Sequence, residues 1–202
     1  MKELRIMAKV VAEMSMSLDG FIGNPHGEVD ELFGWYGNGP VEVPTANEHL
    51  TFRVSEASAG HLRPAFSGAV GALLTGRRNF EASQGWGGAH PVGAPVFVVS
   101  HSIPPGWPRA DSTTTFYDDA LRALEAAKRV AGDRIVAVST PTLTRQYLDA
   151  GELDEIVVSL VPVLLGAGIS FFSGLSKTPV RLEDPLVVEG TGVTHLTYRV
   201  RR

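Results

Sequence analysis

The stretch RIVAVSTPTLTRQYLDAGELDEIVVSL, residues 134–160, decides the class of fold. Its first five and its last five residues are mostly apolar and rich in β-branched side chains, and such short runs predict buried strands. Between them, Thr140 followed by Pro141 predicts the start of a helix, and Gly151 predicts its end. A strand, a helix and a second strand in succession indicate an α/β protein with a mostly parallel sheet.

The same alternation of strands and helices extends toward the N-terminus. Further strands are predicted at residues 9–16, 68–74, 94–99 and 113–117. Helices are predicted at residues 48–65, from Gly76 onward, and from Asp118 to Gly132, where small and apolar side chains recur at helical spacing. Because helices that alternate with parallel strands cover both faces of a sheet, we expect a three-layer α/β/α architecture.

Two segments depart from this alternation. Residues 182–189 and 193–201 flank a Gly190-Thr191-Gly192 turn and predict an antiparallel C-terminal hairpin at one edge of the sheet. Residues 23–47 contain five glycines and three prolines without sustained periodicity. Long segments of this kind are usually functional or mobile, so we expect a functional or mobile loop here.

Composition narrows the class of protein. A chain of 202 residues with 44% hydrophobic and 20% charged residues predicts one globular domain over residues 1–202. The 18 Lys and Arg are scattered against 22 Asp and Glu, which argues against nucleic acid and membrane as main partners. The chain has no cysteine, and its start, Met1-Lys2-Glu3-Leu4, opens no long apolar run, so we expect a cytoplasmic protein.

Metal and acyl-enzyme chemistry lack support in the sequence. The six histidines are spread without the helical i,i+4 pairing of a common zinc site, and no G-x-S-x-G elbow marks a nucleophilic serine. We therefore predict no metal site.

The loops that follow the predicted strands hold the candidate binding residues, because ligands of open α/β sheets bind at the carboxyl ends of strands. After one strand, Gly76 allows a ligand to approach the backbone, and Arg77 and Arg78 can contact phosphate oxygens at a helix start. Adjacent arginines at a helix start are also compatible with a solvated surface.

The order of motifs along the chain is more specific than any one of them. SLDGFIG, LLTGRRNFE, QGWGG, PVFVVSHS, TRQYLDAGELDE, VPVLLGAGISFF and GVTHLTYRV follow one another between about residues 9 and 200. This series resembles the dihydrofolate-reductase-like family that includes the C-terminal reductase domain of riboflavin biosynthesis. The resemblance implies the three-layer fold and, in reductase members, NADPH bound across the strand ends.

The resemblance also implies roles for individual residues. Arg77, with Arg78, would face the 2′-phosphate of the adenosine ribose, and Asn79 would lie near the pyrophosphate. Ser100 and His101 would border the adenosine. Ser15 and Ile22 would lie beside the nicotinamide.

No catalytic residue is identified with comparable support. Asp19 is the ionisable group nearest to the expected nicotinamide loop, which makes it a candidate. An Asp that precedes a glycine, here Gly20, is also a common turn former.

The chain departs from the family where two glycines usually precede the helix that receives the pyrophosphate, since it has Ser139 and Thr140 there. Their hydroxyls could supply substitute donors, or Thr140 could be a plain helix cap that needs no cofactor.

Two hypotheses therefore remain open. One is an NADPH-dependent reductase that moves a hydride to a C=N or C=O bond of a pterin- or pyrimidine-like heterocycle. The other is a reductase-like scaffold without cofactor that binds a small molecule or self-associates.

Assembly is predicted from apolar surface. The apolar run over residues 156–172 and the closing hairpin contain more hydrophobic strand than a monomer of this size needs to expose. Related reductase domains commonly pair through sheet edges, and we expect a homodimer.

Overall fold

The computed structural model describes residues 8–201 and contains ten strands and five α-helices in that range. The strands are β1 (Val10–Ser17), β2 (Val41–Pro44), β3 (Thr51–Val54), β4 (Val70–Gly76), β5 (Val96–Val99), β6 (Thr114–Tyr117), β7 (Ile135–Val138), β8 (Glu155–Val161), β9 (Leu186–Gly190) and β10 (Val193–Arg199). The helices are α1 (Asp30–Phe33), α2 (Glu56–Pro64), α3 (Arg77–Ala82), α4 (Ala120–Ala131) and α5 (Pro141–Ala150).

Eight strands form one sheet in the order β6-β5-β4-β7-β1-β8-β10-β9. All neighbours from β6 to β8 pair in parallel, whereas β10 is antiparallel to both β8 and β9. In the centre, Ala12 of β1 pairs with Val138 on one side and Ile156 on the other. The predicted α/β class, with a mostly parallel sheet and an antiparallel C-terminal hairpin, is confirmed.

One face of the sheet packs against α4 and α5. Six of the seven residues of β4 are buried, as expected for a parallel strand that is covered on both sides. The hydroxyl of Tyr147 on α5 donates a hydrogen bond of 2.9 Å to the carbonyl oxygen of Ala120, which joins the two helices. The side of α4 that faces the sheet consists of Ala120, Ala123, Leu124, Ala126, Ala127 and Ala131.

The other face is covered by α1, α2, α3 and a separate two-stranded hairpin of β2 and β3. Ser55 caps α2, since its Oγ accepts a hydrogen bond of 3.3 Å from the Ser58 amide. The hydrophobic cluster under α1, α2 and the hairpin includes Leu32, Trp35, Val43, Val54, Ala59 and Leu62. Helices therefore lie on both faces, and the three-layer prediction is confirmed.

Three details of the sequence prediction are wrong. Residues 23–47 are not a structureless loop, because they contain α1 and β2. The helix predicted at residues 48–65 starts only at Glu56, because residues 51–54 pair with β2 as a strand. The strand predicted from residue 182 begins at Leu186, and Leu182 makes only an isolated bridge to Val200.

No helix in residues 8–201 is long and apolar enough to cross a membrane. The expectation of a cytoplasmic protein rested on the lack of cysteine and on the chain start Met1-Lys2-Glu3-Leu4, and those four residues lie outside the described residues.

Candidate functional site

A cleft of about 1710 Å³ opens where β1, β4, β5 and β7 end. The carboxyl ends of these parallel strands meet at one edge of the sheet, which is where α/β proteins bind ligands. All ten residues that the sequence assigned to cofactor binding line this one cleft. They are Ser15, Ile22, Gly76, Arg77, Arg78, Asn79, Ser100, His101, Ser139 and Thr140.

Arg77 is the first residue of α3 and is held in place by two neighbours. Its Nε and Nη2 lie 3.1 Å and 3.0 Å from Oε1 of Glu81, one helical turn away. Its Nη1 donates to the hydroxyl of Ser102 in the loop after β5. The hydrogen bond to Glu81 and the charge of that carboxylate raise the pKa of Arg77, so its guanidinium remains charged.

Asn79 connects the ends of β4 and β7. Its Nδ2 donates to Thr75 Oγ1 at 3.0 Å and approaches Ser139 Oγ at 3.4 Å. Ser139 Oγ in turn lies 3.4 Å from the carbonyl oxygen of Leu74. The two polar side chains predicted near a pyrophosphate are therefore neighbours, although 60 residues separate them in sequence.

Thr140 occupies the N-cap position of α5, but its side chain makes no capping hydrogen bond. The residue is buried, and Oγ1 is the one buried side-chain polar atom in residues 8–201 that has no hydrogen-bond partner. A Cβ added to Gly76 would lie 3.6 Å from this oxygen, so the two residues are close across the cleft. Thr140 is therefore the N-cap residue that the sequence predicts, but its hydroxyl does not cap the helix.

The remaining predicted positions lie on either side of these groups. Ser15 is buried near the end of β1, and its Oγ accepts a hydrogen bond of 3.2 Å from Nε1 of Trp35. Ile22 is buried in the segment after β1. Ser100 and His101 follow β5, on the far side of β4 from Ser15.

Asp19 lies outside the cleft lining. Its carboxylate accepts hydrogen bonds from the Ser17 hydroxyl at 2.6 Å, the Leu165 amide at 3.2 Å and the Gly166 amide at 2.7 Å. These bonds, with that of Ser17 the largest cause, lower the pKa of Asp19. Asp19 lies in a turn that the Gly20 amide closes with the Ser17 carbonyl oxygen at 3.0 Å, as its sequence suggests, and its carboxylate joins this turn to residues 165–166.

Sequence reasoning missed a carboxylate in the cleft. Glu13 of β1 lines it and is half-buried, and its Oε1 lies 3.7 Å from His61 Nε2 of α2. Glu13 is the one charged residue in the strand VVAEMSMS, a signal that could have identified it. Its partner is 48 residues away, and no local pattern connects the two.

The sheet order and the cleft at the carboxyl edge of the sheet place the chain in a class of fold, the dihydrofolate-reductase-like α/β fold. Within that class, residues 8–195 match the family described as the RibD C-terminal domain, and the chain belongs to this family.

Three known proteins illustrate the likeness. The uncharacterized protein YwjB of Bacillus subtilis (strain 168) is 25% identical over 177 residues, which cover 87% of this chain and 89% of that protein. A proposed riboflavin biosynthesis protein from Shewanella sp. PV-4 has a solved structure that superposes with a TM-score of 0.66 at 23% identity, covering 96% and 99% of the two chains. Dihydrofolate reductase from Enterococcus faecalis, solved with NADP(H), gives a TM-score of 0.59 at 12% identity over 97% and 99%.

Proposed function

We propose that this protein is an NADPH-dependent reductase that transfers a hydride to a C=N or C=O bond of a small pyrimidine- or pterin-like heterocycle. The observation that carries the proposal is the convergence of ten residues, from Ser15 to Thr140, on one cleft at the carboxyl edge of the sheet. Membership of the RibD C-terminal domain family and the likeness to a dihydrofolate reductase solved with NADP(H) support it.

The residues present fit a dinucleotide at the phosphate end of the cleft. Arg77 would hold the 2′-phosphate, because its guanidinium is charged and partly exposed. The start of α5 offers free backbone N–H groups from its first turn, although Pro141 lacks one. The partnerless Oγ1 of Thr140 lies beside Gly76, and a polar group bound there would supply its missing hydrogen bond.

The cofactor, when bound, supplies the hydride, and the chain supplies orientation and exclusion of water. Ile22 and Ser15 are buried lining residues that would lie beside the nicotinamide, and Trp35 behind them donates a hydrogen bond to Ser15 Oγ. Ser15 is fixed by that bond, so it presents a constant surface to a ring placed against it.

Titration of the protein with NADPH and with NADH, followed by fluorescence, tests the cofactor half of the proposal. Consumption of NADPH in the presence of pyrimidines and pterins, followed by absorbance, tests the reductase half. We expect micromolar NADPH affinity and weaker NADH affinity. Absence of NADPH binding at millimolar concentration would contradict the proposal and favour the scaffold without cofactor. That second hypothesis is motivated by Ser139 and Thr140, which stand where the family usually has two glycines.

A further inference from the structure

Two serine side chains lie side by side in the wall of the cleft. Ser15 of β1 and Ser159 of β8 are register partners in the parallel ladder, and both residues are buried and line the cleft. Register partners point to the same face of a sheet, from strands about 4.8 Å apart. The two hydroxyls are therefore close enough to contact the same ligand atom.

Trp35 decides the direction of the Ser15 hydroxyl. The indole Nε1–H of Trp35 can only donate, and it lies 3.2 Å from Ser15 Oγ. Trp35 is buried and stacks on Tyr36 with ring centroids 4.0 Å apart, which holds the indole in place. Ser15 Oγ is thus the acceptor of this bond, and within residues 8–201 the hydrogen of Ser15 has no acceptor of its own. That hydrogen is available to a ligand in the cleft.

A chain of hydrogen bonds that begins on α2 decides the direction of the Ser159 hydroxyl. Ser55 Oγ accepts hydrogen bonds from the amides of Ser58 at 3.3 Å and Thr191 at 3.4 Å, which occupy both of its lone pairs. The hydroxyl of Ser55 donates its hydrogen to Ser58 Oγ at 3.1 Å. Ser58 therefore donates its own hydrogen to its other neighbour, Nε2 of His195, at 2.9 Å.

His195 passes this direction on to the cleft. Burial first, and the nearby His61 second, lower the pKa of His195 to about 4, so the ring is neutral at physiological pH and carries one N–H. Because Nε2 accepts from Ser58, the hydrogen is on Nδ1, which donates to Ser159 Oγ at 2.9 Å. A protonated ring would donate from Nδ1 as well. Ser159 is therefore the acceptor of this bond, and its own hydrogen has no other acceptor in the described part of the chain.

The charges around the two serines favour a neutral acceptor. Glu13 precedes Ser15 by two residues on the same face of β1, is half-buried and lines the cleft. Its negative charge opposes a carboxylate or a phosphate beside Ser15. The arginines of the described cleft lining are on α3 and α5, namely Arg77, Arg78 and Arg145. A carbonyl oxygen, which is neutral and has two lone pairs, matches two donors at this place.

The position of the pair in the sheet assigns this carbonyl to the substrate rather than to the cofactor. In the sheet order β8 lies beyond β1, on the side away from β4 and β5. The residues proposed for the phosphate end of the cofactor follow β4, as Arg77 does. Ser159 therefore lies on the side of Ser15 that is farther from this end.

We infer that Ser15 and Ser159 form a fixed two-donor site, and that the substrate places a neutral carbonyl oxygen on it. An amino group in the same place would bring donors against donors and leave two buried hydroxyl hydrogens without partners, which weakens binding. Trp35, His195 and Ser58 act through the two serines as positioning residues. The inference rests on the proposed function, since it narrows the heterocyclic substrate to one that carries an oxo group.

Chemical-shift titration of the full chain without cofactor tests the site with two matched probes. Pyrimidin-4-one carries the oxo group, and 4-aminopyrimidine has the same ring with an amino group in its place. We expect the parent to bind pyrimidin-4-one roughly tenfold more tightly. Ser15→Ala and Ser159→Ala should each weaken pyrimidin-4-one binding by roughly twofold to tenfold and leave 4-aminopyrimidine binding unchanged, whereas general damage to the cleft would weaken both.

A third probe and a control variant complete the titration. Nicotinamide also offers a carbonyl oxygen, and its binding should not depend on Ser159. Ser67→Ala, an exposed change outside the cleft lining, should bind all three probes as the parent does. Thermal unfolding of each variant checks that it folds.

Nuclear magnetic resonance of the His195 ring nitrogens in the free protein tests the positioning residues. We expect the hydrogen on Nδ1. Ser58→Ala, a change outside the cleft lining, removes the donor to Nε2, so it should give a mixture of the two neutral ring forms and weaken pyrimidin-4-one binding. A structural role alone would not move the ring hydrogen.

Four results would overturn the inference: hydrogen on Nε2 in the parent, no binding of pyrimidin-4-one at millimolar concentration, equal binding of pyrimidin-4-one and 4-aminopyrimidine, or serine-dependent binding of nicotinamide alone. Binding of pyrimidin-4-one that depends on Ser15 and Ser159 in a protein that fails to bind NADPH would support the inference and contradict the proposed function. NADPH binding without a preference for the oxo probe would overturn the inference alone, so the two failures are distinguishable.

Discussion

Replacement of Arg77 by Ala should abolish the preference for NADPH over NADH. In the free protein the Arg77 guanidinium is paired with Glu81, and the two side chains are 39% and 42% exposed. An exposed i,i+4 pair of this kind contributes only about 0.3–0.5 kcal/mol, whereas a charge-assisted contact to a phosphate contributes about 1.5–3 kcal/mol. The contact of Arg77 with a 2′-phosphate should therefore be more favourable than its pair with Glu81 by about 1–2.7 kcal/mol. This difference corresponds to roughly fivefold to a hundredfold tighter binding of NADPH than of NADH.

Fluorescence titration with NADPH and NADH measures this preference. It is carried out on the parent protein, on Arg77→Ala and on the surface control Arg129→Ala. NADH binding should change little in Arg77→Ala, because NADH has no 2′-phosphate. NADPH binding should fall to the level of NADH. Equal affinity of the parent for the two cofactors, or an NADPH preference that survives in Arg77→Ala, would refute the assignment.

Three further outcomes are expected. Replacing Ser139 and Thr140 by Ala should weaken NADPH binding by about 1–3 kcal/mol, with little change in thermal unfolding because the Thr140 side chain makes no capping hydrogen bond. Replacing both by Gly should preserve or improve NADPH binding. Equal NADPH binding by the two double variants would contradict a pyrophosphate site at these residues. Because the pKa of His195 is lowered to about 4, the unfolded state binds more protons between about pH 4 and pH 6.5, so the free energy of unfolding should fall as pH is lowered through that window. Urea unfolding of His195→Gln at several pH values should show a free energy of unfolding that depends less steeply on pH than in the parent. The same pH dependence in both proteins would show that His195 is not its cause. Light scattering at micromolar concentration should give a mass of twice 21.6 kDa, as expected for a homodimer. The candidate interface residues are the exposed Leu164 and Leu186, the latter on the edge strand β9. A mass near 21.6 kDa would exclude the dimer.

The elements from β4 to β8 were predictable because each has its own local signal. Apolar β-branched runs give the strands, and the residues at positions 76, 140 and 151 mark helix boundaries within a residue or two. The β2–β3 hairpin was missed because each of its strands has four residues, of which one, Val43 or Val54, is buried. With a single inward side chain there is no alternation to detect.

The cofactor half of the candidate site was predictable for a different reason. Its residues lie among the last residues of strands or in the segments that follow them, so a topological rule places them together without any knowledge of contacts. Glu13 obeys no such rule, because it lies inside β1 and gains its partner only when α2 packs across the sheet. The hydrogen-bonding state of Thr140 was equally hidden, since an N-cap residue in sequence need not cap with its side chain.

The central place of β1 has a consequence for how the chain acquires its structure. During synthesis β1 is made first among the strands of the described chain, yet its neighbours β7 and β8 begin at residues 135 and 155. More than a hundred residues must emerge before either ladder can close, and closing such distant contacts carries a large entropic cost that slows folding. Until then the N–H and C=O groups of β1 lack their sheet partners on both sides and its apolar side chains are uncovered, a combination that invites misassociation. The two central ladders of the sheet, β1 with β7 and β1 with β8, can therefore close only late in synthesis.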